Sequence, residues 1–115
     1  MTEHLNTEFL EEIKDVMEEE FALLLETYLR ESELQHQRID EAWQEQGLDE
    51  LRRCAHSLKG SSGNIGAEQL AALCSQLERL ARDKETEEVP ETIAALSQEF
   101  AAVRVTVTGL YESHR

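Results

Sequence analysis

The stretch LRRCAHSLKGSSGNIG, Leu51 to Gly66, decides how the chain folds. Leu51, Cys54, Ala55, Leu58, Ser62 and Ile65 recur at the spacing of a helix with one buried side, not at the alternation of a strand. A helix turns by about 100° per residue, so His56 lies roughly 200° round from Leu58, opposite the buried side and toward solvent. Arg52, Arg53, Lys59, Gly60 and Gly63 fall on that outward side, at offsets of −4, −3, +3, +4 and +7 from His56. No Asp or Glu occurs from Leu51 to Ala67, although the chain holds 25 acids against 11 bases and has a formal net charge of −14. The helix is expected to end near Asn64 to Gly66. Gly60 lies inside it, where glycine costs about 0.5–1 kcal/mol relative to alanine. The outward side is therefore kept bare against the interest of helix stability.

Helical spacing continues on both sides of this segment. Phe9, Leu10, Ile13, Val16 and Met17 predict a short first helix, with Asn6 or Thr7 as its N-cap. Phe21, Leu24, Leu25, Tyr28, Ile39, Ala42 and Trp43 predict a longer second one. It should stop at Gln46-Gly47, because glycine readily takes the left-handed C′ conformation. Leu23 and Leu34 fall off its main stripe and are candidates for a docking patch. Leu70, Leu73, Cys74, Leu77 and Leu80 mark a fourth helix, Asp83 to Glu88 a polar connection, and Pro90 the first turn of a fifth. That helix should bury Ile93, Leu96, Phe100, Val103, Val107 and Leu110. The β-branched run Val103 to Thr108 favours a strand locally, but the longer pattern around it favours helix. Short connections imply antiparallel neighbours. The expected fold is all-α, an up-and-down antiparallel four-helix bundle with a short additional N-terminal helix, in one domain over residues 1–115.

Composition narrows the function. The acidic balance repels phosphate, which argues against nucleic acid and anionic membrane as partners. No apolar run approaches bilayer length and no signal peptide opens the chain. Cys54 and Cys74 are too few for a disulfide framework and lack metal-type spacing. A cytoplasmic, monomeric protein with no bound metal is the expectation.

The outward side of the third helix combines an imidazole, cations one turn away and a backbone without side chains. Histidine can act as a covalent nucleophile, cations suit an arriving dianion, and bare backbone admits another protein closely. HSLKGSSGNIG, His56 to Gly66, resembles the signature of the histidine-containing phosphotransfer (HPt) domain: His-x-Leu-Lys-Gly with a second Gly six residues after the first. LAALCSQLE, Leu70 to Glu78, is similar to the helix that follows it in that family. The resemblance implies that His56 accepts a phosphoryl group from the aspartyl-phosphate of a receiver domain and passes it to another receiver. It implies that Lys59 neutralises the phosphoryl oxygens, that Gly60 gives the receiver room, and that Gly66 serves the turn. Glu78 falls where some members place a Glu or Gln that bonds the other ring nitrogen; a surface pair with Arg82 at i+4 is the competing reading. Arg52, Arg53 and Gly63 are binding candidates on helical geometry alone.

Magnesium and the catalytic aspartates belong, on this resemblance, to receiver domains of hybrid sensor kinases and response regulators. The chain itself shows no nucleotide site: GSSGNIG lacks the GKS/T ending of a phosphate loop and follows a helix. A free-standing bacterial-type carrier without a cofactor is expected, the alternative being a helical adaptor that binds receivers without chemistry. Cys54 and Cys74 read as core thiols, and His4, His36 and His114 have no assigned role.

Overall fold

The computed structural model describes residues 4–114, without the side chains of Glu18 and His114. The extreme ends of the expected 1–115 span and the His114 side chain therefore lie outside the described residues. Helix α1 spans Thr7–Met17, and a 3-10 turn, Glu18–Glu20, leads into α2, Phe21–Gln44. Helices α3, Leu48–Asn64, α4, Glu68–Arg82, and α5, Val89–His114, complete the chain, with no strand among the described residues. α2 packs on α3 and α5, and α4 packs on α3 and α5, which closes a ring of four helices in chain order. Cross-links at Tyr28–Ser62, His36–Ser97 and Arg104–Leu29 run in the antiparallel sense that the short connections demand. The 26 residues of α5 span about 39 Å at helical rise, which nearly matches the molecule's longest dimension of 42 Å.

Each long helix gives one side to a shared core, with Leu25, Leu58, Leu77 and Phe100 among its members. The β-branched run of α5 shows why helix prevails there. Val103 and Val107 are buried in register with Leu96 and Phe100, while Val105 is 74% exposed. A strand would have turned all three valines to one side. Between α2 and α3 the buried Tyr28 hydroxyl meets Ser62 Oγ at 3.0 Å, and burial pushes the phenol up to about 12.

Helices α2, α3 and α4 end alike. In each, one residue takes positive φ, and two backbone N–H groups reach back to carbonyls of the last turn. The pairs are Gln46 to Trp43 with Gly47 to Ala42, Gly66 to Gly63 with Ala67 to Ser62, and Lys84 to Ala81 with Glu85 to Leu80. This is the Schellman arrangement, which satisfies carbonyls that a helix end leaves open. The left-handed residue after α2 is Gln46, at φ 59°, and not the expected Gly47, which instead precedes α3 at φ −88°. Two of the three turns thus tolerate a side chain at a conformation that costs an L-residue roughly 1–2 kcal/mol. Only at Gly66, φ 78°, is glycine also demanded by space. A Cβ there would lie 2.9 Å from Phe9 Cδ2 and 3.3 Å from Asn6 Cβ.

That space is filled by the N-terminal segment, which crosses the end of the bundle. Leu5 and Leu10 plug the core, Asn6 N donates to Gly66 O at 2.9 Å, and His4 meets Glu99 at 2.7 Å. Asn6, rather than Thr7, is the N-cap, since its Oδ1 accepts from Phe9 N at 3.0 Å. The expected first stripe is only partly realised: Leu10 is buried, but Phe9 is 37% and Val16 84% exposed. Among the described helices α1 packs on α2 and the 3-10 turn, and Leu10 and Ile13, not its whole stripe, reach the core. Gly66→Ala should lower stability by about 2 kcal/mol, from backbone strain and collision with the strap. Gln46→Gly should raise it by up to about 1 kcal/mol. Urea denaturation of the two variants beside the parent protein checks both signs.

Candidate functional site

The three-residue link between α3 and α4 fixes their register, and that register brings Glu78 level with the outward turn of α3. Glu78 Oε2 lies 2.9 Å from His56 Nδ1, and its Oε1 accepts from Lys59 Nζ at 2.8 Å. The His56 side chain is 64% exposed, Lys59 33% and Glu78 16%. An ionised carboxylate only accepts hydrogen bonds, so Nδ1 is the nitrogen that carries the proton. Nε2 is then left with its lone pair directed away from Glu78. The hydrogen bond from Lys59, helped by that from His56, holds the Glu78 carboxyl below the usual carboxylate range against the opposing effect of burial. At neutral pH Glu78 is a fixed anion between two donors.

Of the other sequence-predicted residues, Gly60 and Gly63 are exposed, and a Cβ built on either meets nothing within 4 Å. Nothing inside the molecule requires glycine there, so any reason for it lies outside. Arg52 and Arg53 do not reach across to His56. Their guanidinium groups donate to the two oxygens of Asp49, at 3.1 and 2.8 Å. Asp49 stands just before the acid-free interval, and its i, i+3 and i, i+4 spacing to the two arginines was the available signal. Arg82 turns to Asp83 at 3.2 Å, while Glu78 is taken by His56 and Lys59. An open hollow of about 400 Å³ beside the Lys59–Glu78 pair is bordered by Ser75, Gln76, Arg79 and Arg82. Leu23 and Leu34 are 59% and 46% exposed.

The cysteines are buried, and burial pushes the Cys54 thiol up to about 11 and the Cys74 thiol up to about 12, so neither is a ready nucleophile. Among the described residues no group of three His, Cys, Asp or Glu converges to hold a metal, and no helix is long and apolar enough to cross a membrane. Sequence reasoning passed over His4, paired with Glu99, and His36, which meets Ser97 Oγ at 2.8 Å and lies against Phe100. His4 ties the N-terminal segment to α5, and His36 ties α2 to α5.

The family model of the Hpt domain matches residues 23–106. The crystal structure of histidine-containing phosphotransfer protein B (HptB) from Pseudomonas aeruginosa PAO1 is 36% identical over the whole of both chains, with a TM-score of 0.95. A rice structure assigned as a histidine-containing phosphotransfer protein covers 95% of this chain and 80% of its own, at 18% identity and a TM-score of 0.80. That second likeness speaks for the fold alone. Comparison with curated protein sequences gave no significant match. Because Gly60 has open space around it, Gly60→Ala should stabilise the protein by about 0.5–1 kcal/mol. Chemical denaturation reads this; a loss of stability would mean that the glycine serves the fold itself.

Proposed function

The chain belongs to the Hpt domain family and is a histidine phosphotransfer protein of a phosphorelay; from that premise we propose that His56 carries the phosphoryl group. The observation behind this reading is the pairing of His56 Nδ1 with Glu78, which leaves Nε2 as the free nucleophile on an exposed ring. The donor is a receiver domain bearing an aspartyl-phosphate. Nε2 attacks phosphorus, the P–N bond forms as the P–O bond to the aspartate breaks, and the aspartate leaves as its carboxylate. Passing the group to another receiver runs the same chemistry in reverse.

Each neighbour has a part in this scheme. Glu78 selects the tautomer and aims the ring. Lys59, one turn along, supplies positive charge to the phosphoryl oxygens. Gly60 and Gly63 leave the backbone bare for the receiver, and Arg52 and Arg53 add to a locally positive surface on an otherwise acidic chain. Magnesium is supplied by the receiver. We read the chain as one such domain, a cytoplasmic, monomeric carrier and not a kinase, since nothing in it resembles a nucleotide site.

Incubation with a phosphorylated receiver should give wild type an acid-labile, base-stable label and leave His56→Ala unlabelled but still able to bind the receiver. Lys59→Ala should slow transfer ten- to a hundredfold, the order expected for a lost charge-assisted hydrogen bond. A label that survives His56→Ala would contradict the assignment. A folded wild type that binds receivers and takes no label would be an adaptor.

A further inference from the structure

Both oxygens of Glu78 are committed, one to His56 Nδ1 at 2.9 Å and the other to Lys59 Nζ at 2.8 Å. This arrangement conflicts with the part Lys59 has in transfer, because the cation meant for the phosphoryl oxygens is already bound elsewhere. On the premise that His56 is the acceptor, we infer that phosphorylation hands Lys59 from Glu78 to the phosphoryl group, leaving Glu78 to hold the proton on Nδ1 of the phosphorylated ring.

The charges require such an exchange. Nε2 gives its lone pair to phosphorus while Nδ1 keeps its hydrogen, so no proton moves and the ring becomes formally cationic. The phosphoryl group brings about two negative charges at neutral pH to a site one helical turn from Lys59. Against a carboxylate with one charge, the dianion is the stronger attractor for an ammonium on a flexible four-carbon stem. When Lys59 leaves, Glu78 loses its competing donor and its whole charge bears on Nδ1–H. The other charged groups described around the ring already have partners. On α3, Arg52 and Arg53 are held by Asp49; on α4, Arg82 is held by Asp83, and Arg79 lies 3.9 Å from Glu85. The anion in contact with the ring is Glu78.

This contact bears on both halves of the reaction. With Nδ1 protonated, the ring leaves phosphorus as neutral imidazole. With Nδ1 bare, it would have to leave as an imidazolide anion, a far poorer leaving group. Because donation is acceptance in reverse, Glu78 is a positioning residue for both steps: its charge stabilises the cationic ring that acceptance makes and keeps the ring a neutral leaving group in donation. Glutamine isolates the effect of the charge, since its side-chain oxygen still accepts from Nδ1–H but carries no charge.

The test uses the whole chain, wild type and Glu78→Gln, each phosphorylated by a receiver and shown folded by circular dichroism. Acceptance by Glu78→Gln should fall about tenfold, the order of a lost charged hydrogen bond, and donation to a second receiver at pH 8 should fall by no more than that. Nitrogen-15 shifts at pH 8 should show Nδ1 still protonated in phosphorylated wild type and deprotonated in the variant. The Lys59 ammonium should show contact to phosphorus and none to Glu78. Unchanged acceptance, the same ring protonation in both proteins, or a Lys59–Glu78 contact that outlasts phosphorylation would overturn the inference. Absence of label on wild type would instead remove the His56 assignment on which it rests.

Discussion

The carboxylate of Glu78, held between His56 and Lys59, is the interaction on which the functional reading of this molecule depends. It joins α3 to α4 on the outer side of the bundle and converts an exposed imidazole into one with a defined tautomer and direction. It exists because the α3–α4 link is short and because the two helices bury Leu58 and Leu77 in one core. A bundle with a looser connection would present the same histidine as a freely rotating side chain. The core thus acts on the chemistry indirectly, by setting a register precise to a fraction of a helical turn.

The glycines divide according to what they face. Gly66 is required from within, by a left-handed backbone and by the strap formed by Asn6 and Phe9. Gly60 has open space on its outer side, and inside a helix it weakens the structure that carries it. The same chain tolerates Gln46 and Lys84 at left-handed positions where glycine would be easier. Gly66 therefore stands where the N-terminal strap approaches closely, whereas nothing within the molecule calls for glycine at position 60.

Much of this was legible in the sequence. The helical spacing of Leu51, Leu58 and Ile65 sufficed to place His56 outward, and the same periodicity carried the β-branched end of α5 correctly into a helix. Family resemblance added the pairing of Glu78 with the ring, which periodicity could not supply because it depends on the register between two helices. The placement of Arg52 and Arg53 was legible only in part. Helical geometry put them outward, but Asp49, just beyond the acid-free interval, draws both back. The first helix lies where its stripe of Phe9, Leu10, Ile13, Val16 and Met17 placed it, but it crosses the end of the bundle, so Leu10 and Ile13 meet the core while Phe9 and Val16 are exposed. The choice of Gln46 over Gly47 as the left-handed residue turned on which position the backbone reaches after Glu45, and composition gives no clue to that.

The most direct measurement of the central claim is the tautomer of His56 in the resting protein, read from two-bond proton–nitrogen correlations at pH 8. The account predicts a protonated Nδ1 and an unprotonated Nε2, with the Nδ1 proton shifted by its bond to a carboxylate. A ring found mainly with its hydrogen on Nε2 would contradict it, because the nitrogen exposed for attack would then have no lone pair to give.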